Sequence, residues 1–217
     1  GFKFVYFSLK LARYFRNRKY DSLRWGQRIA LALVKLGPSF IKFGQTLATR
    51  SDLIGDDVAT DLTLLQDRLD PFSFKESKNI IENETGMPIN ELFSSFDEKP
   101  AAAASIAQVH YATTMSGEDV AVKILRPQIE NAFASDLSLF KWIAKILENY
   151  ISRTKRLQPV KVVQIFANTI ALEMDMRMEA AAASELAENF KGDPDFKVPK
   201  IFWETTTKRV LTLERLS

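Results

Sequence analysis

Apolar residues recur every three or four positions along most of this chain, which predicts a protein built mainly from amphipathic helices. Gly37-Pro38 interrupts the pattern between two such segments, and Ser73 with Glu76 forms a capping box that predicts the start of another. Ser22 is expected to cap the second helix of the chain. Helices are therefore predicted over residues 2–18, 22–36, 38–47, 56–69, 73–86, 91–96, 128–151 and from 159 to beyond 179.

Two stretches alternate between apolar and polar residues instead, and these predict antiparallel strands. The first, residues 102–124, reads as a hairpin. In its second strand, residues 120–124, the bulky aliphatic side chains share one face while Ala121 and Lys123 share the other. The second stretch, residues 199–213, predicts a further pair of strands. The expected fold class is α+β, with a small antiparallel sheet in a mostly helical chain.

The composition excludes several kinds of site. Because the chain of 217 residues has no cysteine, it has no disulfide, iron–sulfur cluster or thiolate nucleophile, and it fits a reducing compartment. Its single histidine, His110, cannot hold a metal ion alone, and Tyr111 after it rules out the His-Arg-Asp of a kinase catalytic loop. No run of about eighteen apolar residues is present, so no membrane-spanning helix is expected.

Positive charge is concentrated at one end of the chain. Residues 1–50 hold 11 Lys and Arg against Asp21 alone, a net charge of +10, whereas residues 51–217 carry a net charge of −7. Aromatic residues are interleaved with the basic ones, a combination typical of surfaces that bind anionic lipid head groups. A solvated basic face whose aromatics pack inward is the structural alternative. Nucleic acid is not an expected partner, because the basic excess is confined to one end and no groove-reading motif is present.

The hairpin carries the candidate chemistry. Protein kinases hold nucleotide phosphates with a G-x-G-x-x-G-x-V loop and a lysine on the next strand. Here Ala102, Ala104 and Ala107 occupy the three glycine positions, Val109 matches the valine, and Lys123 lies on the next strand. By itself this pattern also fits a half-buried hairpin with a lysine whose stem packs along the sheet.

A buried lysine needs a carboxylate partner, and a cluster of acids follows on the helix that begins at Pro159. Glu173, Asp175 and Glu179 lie there, and the last two are four residues apart, so they are expected to share a helix face. The candidate pair is Glu179 with Lys123, the strand-to-helix pair that positions phosphates in kinases. A solvated acidic helix face is the alternative interpretation.

Together these motifs resemble the UbiB/ADCK family of atypical kinases, which are tied to ubiquinone biosynthesis. The resemblance extends over about residues 25–217. It depends on the K-x-G-Q motif at 42–45, the alanine-rich loop at 101–110, the Val-Ala-Val-Lys strand at 120–123, and the E-x-D motif at 173–175 followed by Glu179.

The resemblance implies a kinase-like N-terminal lobe over residues 98–217 and a helical extension over residues 1–97. It implies that Lys42 contacts the acids of the E-x-D motif and that its helix blocks a protein substrate. The catalytic set would be Lys123, Glu179, Lys42, Glu173 and Asp175. The residues implied to bind ATP or ADP are Ala101, Ala102, Ala103, Ala104, Ser105, Ile106, Ala107, Gln108, Val109, Lys123, Glu214 and Leu216.

The resemblance also implies where the remaining catalytic groups lie. The catalytic base and the Mg²⁺ ligands of a kinase belong to its C-terminal lobe, and no residue of this chain corresponds to them. No metal ligand is therefore expected here. Because the chain opens on Gly1 without methionine and stops after a strand-like run, we expect a piece of a longer enzyme that is inactive alone.

The implied function is ATP-dependent, either as a kinase or as an ATPase, in the synthesis of ubiquinone. The implied partners are nucleotide, an anionic membrane surface, lipid quinone precursors and other proteins of quinone synthesis. The expected location is peripheral, on the cytoplasmic side of a bacterial inner membrane or its mitochondrial equivalent. A non-catalytic helical scaffold for quinone-pathway proteins is the alternative function.

Overall fold

The computed structural model describes residues 22–65 and 69–216, and the predicted helix over residues 2–18 lies outside them. Within the described residues the α+β fold is confirmed, with mostly helical structure and one small antiparallel sheet. The helices are α1 (Trp25–Leu36), α2 (Pro38–Ala48), α3 (Ser51–Ile54), α4 (Asp56–Leu62), α5 (Phe74–Thr85), α6 (Ile89–Leu92), α7 (Ile129–Tyr150), α8 (Pro159–Glu173) and α9 (Met176–Asn189). The strands are β1 (Phe93–Phe96), β2 (Ala102–Ala103), β3 (Ala107–Thr114), β4 (Asp119–Leu125) and β5 (Val210–Glu214), and short 3₁₀ helices span Ser152–Leu157 and Trp203–Thr205.

The described residues form two compact units, each made of two chain segments. The first contains residues 22–65 and 131–167, and the second contains residues 69–130 and 168–216. The division at residues 97 and 98 expected from the sequence does not coincide with a boundary between these units. The reason is that β1, which precedes it, pairs with β3, which follows it. Among the described helices, none combines the length and the apolar content needed to cross a bilayer.

The first unit has an aromatic core. Phe43 of α2 stacks on Phe140 of α7 with ring centroids 4.7 Å apart, and it meets Phe166 of α8 edge-on at 5.1 Å. Phe40 approaches Phe140 edge-on at 4.8 Å. Edge-on and offset contacts of this kind stabilise beyond the apolar area that they bury. One turn of α2 therefore supplies rings to both long helices of the unit.

Gly44 lets the helices of the first unit approach closely. A Cβ at this position would collide with Leu65 and lie 2.6 Å from Leu33 Cδ1. Both leucines are buried, so neither can move without disturbing the core. The glycine of the K-x-G-Q motif thus has a packing role that is independent of any ligand.

The helix predicted from Ser22 begins later, at Trp25. Arg24 occupies the N-cap position, and its backbone N–H donates to Gln27 Oε1 at 3.1 Å. Its guanidinium forms an ion pair with Asp61 of α4, which is buried. A buried carboxylate needs such a cation. This long-range contact, which local capping preferences do not reveal, sets the start of α1.

The sheet of the second unit has the strand order β1-β3-β4-β5, with β2 paired to β3, and every pairing is antiparallel. As predicted, Val120, Val122 and Ile124 are fully buried on one face, where they pack with Ile80 and Ile81 of α5. Lys123 points to the other face, because successive strand residues alternate. It lies opposite Val109 of β3 and Leu211 of β5 in the register.

A buried polar network joins α5 to the sheet. His110 Nε2 lies 3.2 Å from Ser77 Oγ and 2.9 Å from Gln108 Nε2, while its Nδ1 lies 2.7 Å from the Asp97 carbonyl oxygen. Burial lowers the pKa of His110, although the Asp97 carbonyl partly opposes this effect. The one histidine of the chain is therefore a structural, uncharged member of the core.

Several predicted elements differ in the structure. Residues 93–96 form the edge strand β1 and not the end of a helix, because pairing with β3 overrides the weak local preference of a four-residue segment. The helix predicted over residues 56–69 ends at Leu62. Of the strand predicted near residue 201, only a single bridge from Ile201 to Leu213 forms. The helix from Pro159 ends at Glu173 and a new one begins at Met176.

Candidate functional site

Lys123 and Glu179 form the predicted strand-to-helix pair. Lys123 Nζ donates to both carboxylate oxygens of Glu179, at 2.7 Å and 3.0 Å. The lysine side chain is 27% exposed and the glutamate side chain 49% exposed. The pair is thus open to solvent on one side, where a ligand could reach the ammonium group. The contact is present in the structure, and its catalytic role stays a prediction.

The start of α9 explains how Glu179 reaches the lysine. Asp175 caps the helix by accepting a hydrogen bond from Arg177 N–H at 3.1 Å, and Met176 N–H donates to the Lys208 carbonyl oxygen at 2.9 Å. Met176 and Ala180 are fully buried, and their spacing of four residues lays this side of α9 against the rest of the unit. Glu179, one residue before Ala180, is thereby held beside β4.

Asp175 is held by Arg177, and its expected catalytic role stays a prediction. Its carboxylate accepts hydrogen bonds from Arg177 Nε at 2.8 Å and Nη2 at 2.6 Å, and this contact lowers the pKa of Asp175. Because Asp175 is the N-cap of α9, it does not share a face of one continuous helix with Glu179. The expected face was wrong because the cap interrupts the helix that the apolar periodicity suggested.

The alanine-rich loop is a tight strand–turn–strand. Ala101 N–H donates to the Val109 carbonyl oxygen at 2.8 Å, and Ala104 N–H donates to the Ala107 carbonyl oxygen at 2.8 Å. Residues 101–109 are all described, and none of them has a left-handed φ. Alanine therefore fits this turn without the conformational strain that would favour glycine.

The side chains of this loop divide into two groups. Those of residues 101–104 are exposed or half-buried, whereas those of Ser105, Ile106, Ala107 and Gln108 are buried. Gln108 bonds to the backbone of Phe72, with its Oε1 3.0 Å from the amide nitrogen and its Nε2 3.3 Å from the carbonyl oxygen. Its Nε2 also donates to Ser77 Oγ at 2.8 Å. The side-chain amide of Gln108 is therefore used in the core, and the expected contact of this residue with a nucleotide stays a prediction.

Arg126 holds the turn in place, and the sequence interpretation missed it. Its Nε donates to the Ala104 carbonyl oxygen at 2.9 Å, and its backbone N–H donates to the Ile106 carbonyl oxygen at 2.8 Å. Its Nη2 donates to the Asp70 carbonyl oxygen at 3.0 Å. A basic residue directly after a lysine-bearing strand is the one signal that could have indicated this role.

The last strand carries the two remaining predicted contacts. Glu214 pairs with Lys197 at 2.7 Å and accepts a hydrogen bond from Lys200 N–H at 3.2 Å, and these contacts lower the pKa of Glu214. Leu216 follows the strand and is 44% exposed. The carboxylate of Glu214 is thus occupied by protein groups, while Leu216 presents apolar surface to solvent.

Lys42 and Glu173 belong to different parts of the structure. Lys42 lies on α2 in the first unit and is half-buried, and Glu173 is the last residue of α8 in the second unit. The expected contact between Lys42 and the E-x-D acids stays a prediction. Within the described ranges no group of three or more His, Asp or Glu side chains could hold a metal ion.

The ABC1 atypical kinase-like domain family matches residues 64–217. The chain is 49% identical over 191 residues to a Marinobacter nauticus protein named "Probable protein kinase UbiB", covering 88% of this chain and 35% of that protein. It is 43% identical over 204 residues to a protein of the same name from Pseudomonas aeruginosa, covering 94% of this chain and 38% of that protein. This chain therefore spans little more than a third of the length of these curated relatives.

A solved structure also resembles this chain. The complex of Rv3197 with erythromycin from Mycobacterium tuberculosis superposes with a TM-score of 0.57 at 27% identity, covering 80% of this chain and 44% of that one. The family match includes the turn at Ala104, the strand with Lys123 and the helix with Glu179. The resemblance to the UbiB/ADCK kinases is confirmed, and the chain belongs to the ABC1 atypical kinase-like family.

Proposed function

We propose that this chain forms the nucleotide-binding part of an atypical kinase or ATPase that supports ubiquinone biosynthesis. The observation that carries the proposal is the Lys123–Glu179 pair, formed between a central strand and a helix of the same compact unit. Sequence relatives that are named as UbiB protein kinases support the kinase class and the pathway. Phosphoryl transfer and Mg²⁺ binding are proposed for the whole protein, and phosphate positioning for this chain.

The lysine has the donors that this role requires. An ammonium group has three N–H donors, and the two Glu179 oxygens accept two of them. Among the described residues no acceptor is found for the third, which is free to bind a phosphate oxygen of ATP or ADP. Glu179 would keep Nζ at a fixed point. Residues 101–104, which are exposed or half-buried, would border the phosphates from the side of β2 and β3.

The test is equilibrium binding of ADP and ATP to the protein and to Lys123→Met, which keeps the stem and removes the charge. A charge-assisted contact to phosphate contributes about 1.5–3 kcal/mol, so the affinity should fall by roughly tenfold or more. Lys200→Met is the matched control, because Lys200 is a solvent-exposed lysine of the same unit that pairs with Glu118. Equal affinities of the two variants would reject the role of Lys123 and favour a helical scaffold.

We propose in addition that residues 1–28, which combine basic and aromatic residues, bind an anionic membrane surface that carries lipid quinone precursors and other quinone-synthesis proteins. Attraction between a basic segment and anionic lipid weakens as salt screens it. Co-sedimentation with vesicles should therefore increase with their phosphatidylglycerol content and decrease with added salt. Binding that changes with neither the phosphatidylglycerol content nor the salt concentration would contradict the membrane proposal.

A further inference from the structure

A partly open apolar cavity lies in the first unit. Its volume is about 420 Å³, and every described residue that lines it is Leu, Phe, Ile, Val, Ala or Pro. Ligand pockets in proteins are commonly about 300–1,000 Å³ in volume, and an apolar cavity of about 150 Å³ already takes up benzene. A cavity of this size with an apolar lining favours binding of an apolar hydrocarbon chain over binding of water.

A second pocket, of about 470 Å³, adjoins the apolar cavity and has a different character. The two pockets share Leu53, Leu157 and Val162 as wall residues. The remaining side chains of the second pocket are mostly polar, and its basic residues are Arg50, Arg156 and Lys161. The apolar cavity and the more polar second pocket are therefore adjacent, and these three apolar residues form the rim between them.

The second pocket has an excess of positive charge. Arg50 also lines it, but its guanidinium is held by Asp52 through two hydrogen bonds of 2.8 Å. These two charges offset each other, so Arg156 and Lys161 determine the sign of the pocket. Such a site attracts an anion.

The backbone between the two cations explains why both border one pocket. Gln158 has a left-handed φ of 47°, which is unusual for a residue other than glycine. It turns the chain between the 3₁₀ helix that carries Arg156 and helix α8 that carries Lys161, and it lines the pocket itself.

We propose that the first unit binds a single-chain amphiphile, with its apolar chain in the 420 Å³ cavity and its anionic head group beside Arg156 and Lys161. The apolar lining accounts for the chain, and the excess positive charge accounts for the head group. A carboxylate or a phosphate could serve as this head group, because both are anions that accept hydrogen bonds from basic side chains. No residue of the nucleotide site takes part in this binding.

The proposal is tested on the complete chain with cis-parinaric acid, whose fluorescence rises in apolar surroundings, and with the corresponding neutral alcohol. The acid should bind about tenfold more tightly than the alcohol, because one charge-assisted contact contributes roughly that factor. Equal affinity for acid and alcohol, or no saturable binding of the acid, would overturn the proposal. This comparison needs no variant and so does not depend on a variant's folding.

Variants then locate the site. Arg156→Gln combined with Lys161→Gln should weaken binding of the acid about tenfold and leave binding of the alcohol unchanged. Lys155→Gln is the matched control, because Lys155 is an exposed lysine of the same 3₁₀ helix that does not line the pocket. Leu53→Trp, at the half-buried rim, should weaken binding of both probes. An equal effect of the control, or full binding by Leu53→Trp shown to be folded by circular dichroism, would contradict the assignment.

Competition separates the sources of the head group. Displacement of the probe by dodecyl phosphate supports a phosphate head, displacement by laurate alone supports a carboxylate head, and displacement by inorganic phosphate alone would overturn the amphiphile. Lys123→Met should bind cis-parinaric acid as the unaltered protein does. A failure of the nucleotide proposal is therefore distinguishable from a failure of this one.

Discussion

Neutralising Glu179 should affect nucleotide binding more than folding. The side chains of Glu179 and Lys123 are 49% and 27% exposed, so solvent screens their attraction. Exposed pairs contribute at most about 1 kcal/mol, and Glu179→Gln should lower the melting temperature by only about 2–4 °C. Without the carboxylate, Nζ is no longer held at 2.7 Å and 3.0 Å from fixed oxygens and must be ordered by the nucleotide. An ordering cost of about 1 kcal/mol weakens ADP binding roughly fivefold.

The assay is a double-mutant cycle of Glu179→Gln and Lys123→Met, with urea unfolding followed by circular dichroism and ADP binding measured on the same samples. If the two residues act as a unit, the loss of ADP affinity in the double variant should be smaller than the product of the single losses. Glu185→Gln is the matched control, an exposed acid of the same helix. Strictly additive losses, or a loss of more than about 3 kcal/mol in the free energy of unfolding for Glu179→Gln, would refute the reasoning.

Three further predictions concern residues whose surroundings are now known. Because burial lowers the pKa of His110 from 6.5, the unfolded chain takes up the proton first as the pH falls. The free energy of unfolding should therefore decrease below about pH 6.5. Urea midpoints at pH 7.5 and 5.5 check this, and an equal decrease in His110→Gln would contradict it. Gly44→Ala should destabilise by about 1–3 kcal/mol, because the added Cβ collides with Leu33 and Leu65; thermal melts check this, and an unchanged melting temperature would contradict it. Ala104→Gly should alter the ratio of ATP to ADP affinity, since glycine frees the turn; calorimetric titrations that give the unaltered ratio would reject this.

The sequence predicts the site better than it predicts the elements around it. Alternation alone assigned Lys123 to the face opposite Val120 and Val122, because a strand has a fixed period of two. The need for a carboxylate partner was inferred because a buried lysine requires one. The choice of Glu179 came from the strand-to-helix pair of kinases.

The errors in the prediction arise where distant contacts override local preference. Arg24, and not Ser22, precedes α1, and it forms an ion pair with Asp61. Because Asp61 lies far along the chain, no local pattern indicates this contact. Residues 93–96 become a strand because β3 offers a pairing edge. The hydrogen bonds of Gln108 to the backbone of Phe72 also join distant residues, and no local pattern indicates them.

The break between α8 and α9 has a mechanical consequence for this family member. Since the Met176 amide is bonded to Lys208 in the segment leading to β5, and Ala180 is buried, the helix that bears the acid is fastened to the same sheet as the lysine. A swing of that helix away from the sheet, the motion by which a regulated kinase separates its lysine from its glutamate, would have to break this tether first. Such a swing would therefore cost at least this backbone hydrogen bond and the burial of Met176 and Ala180.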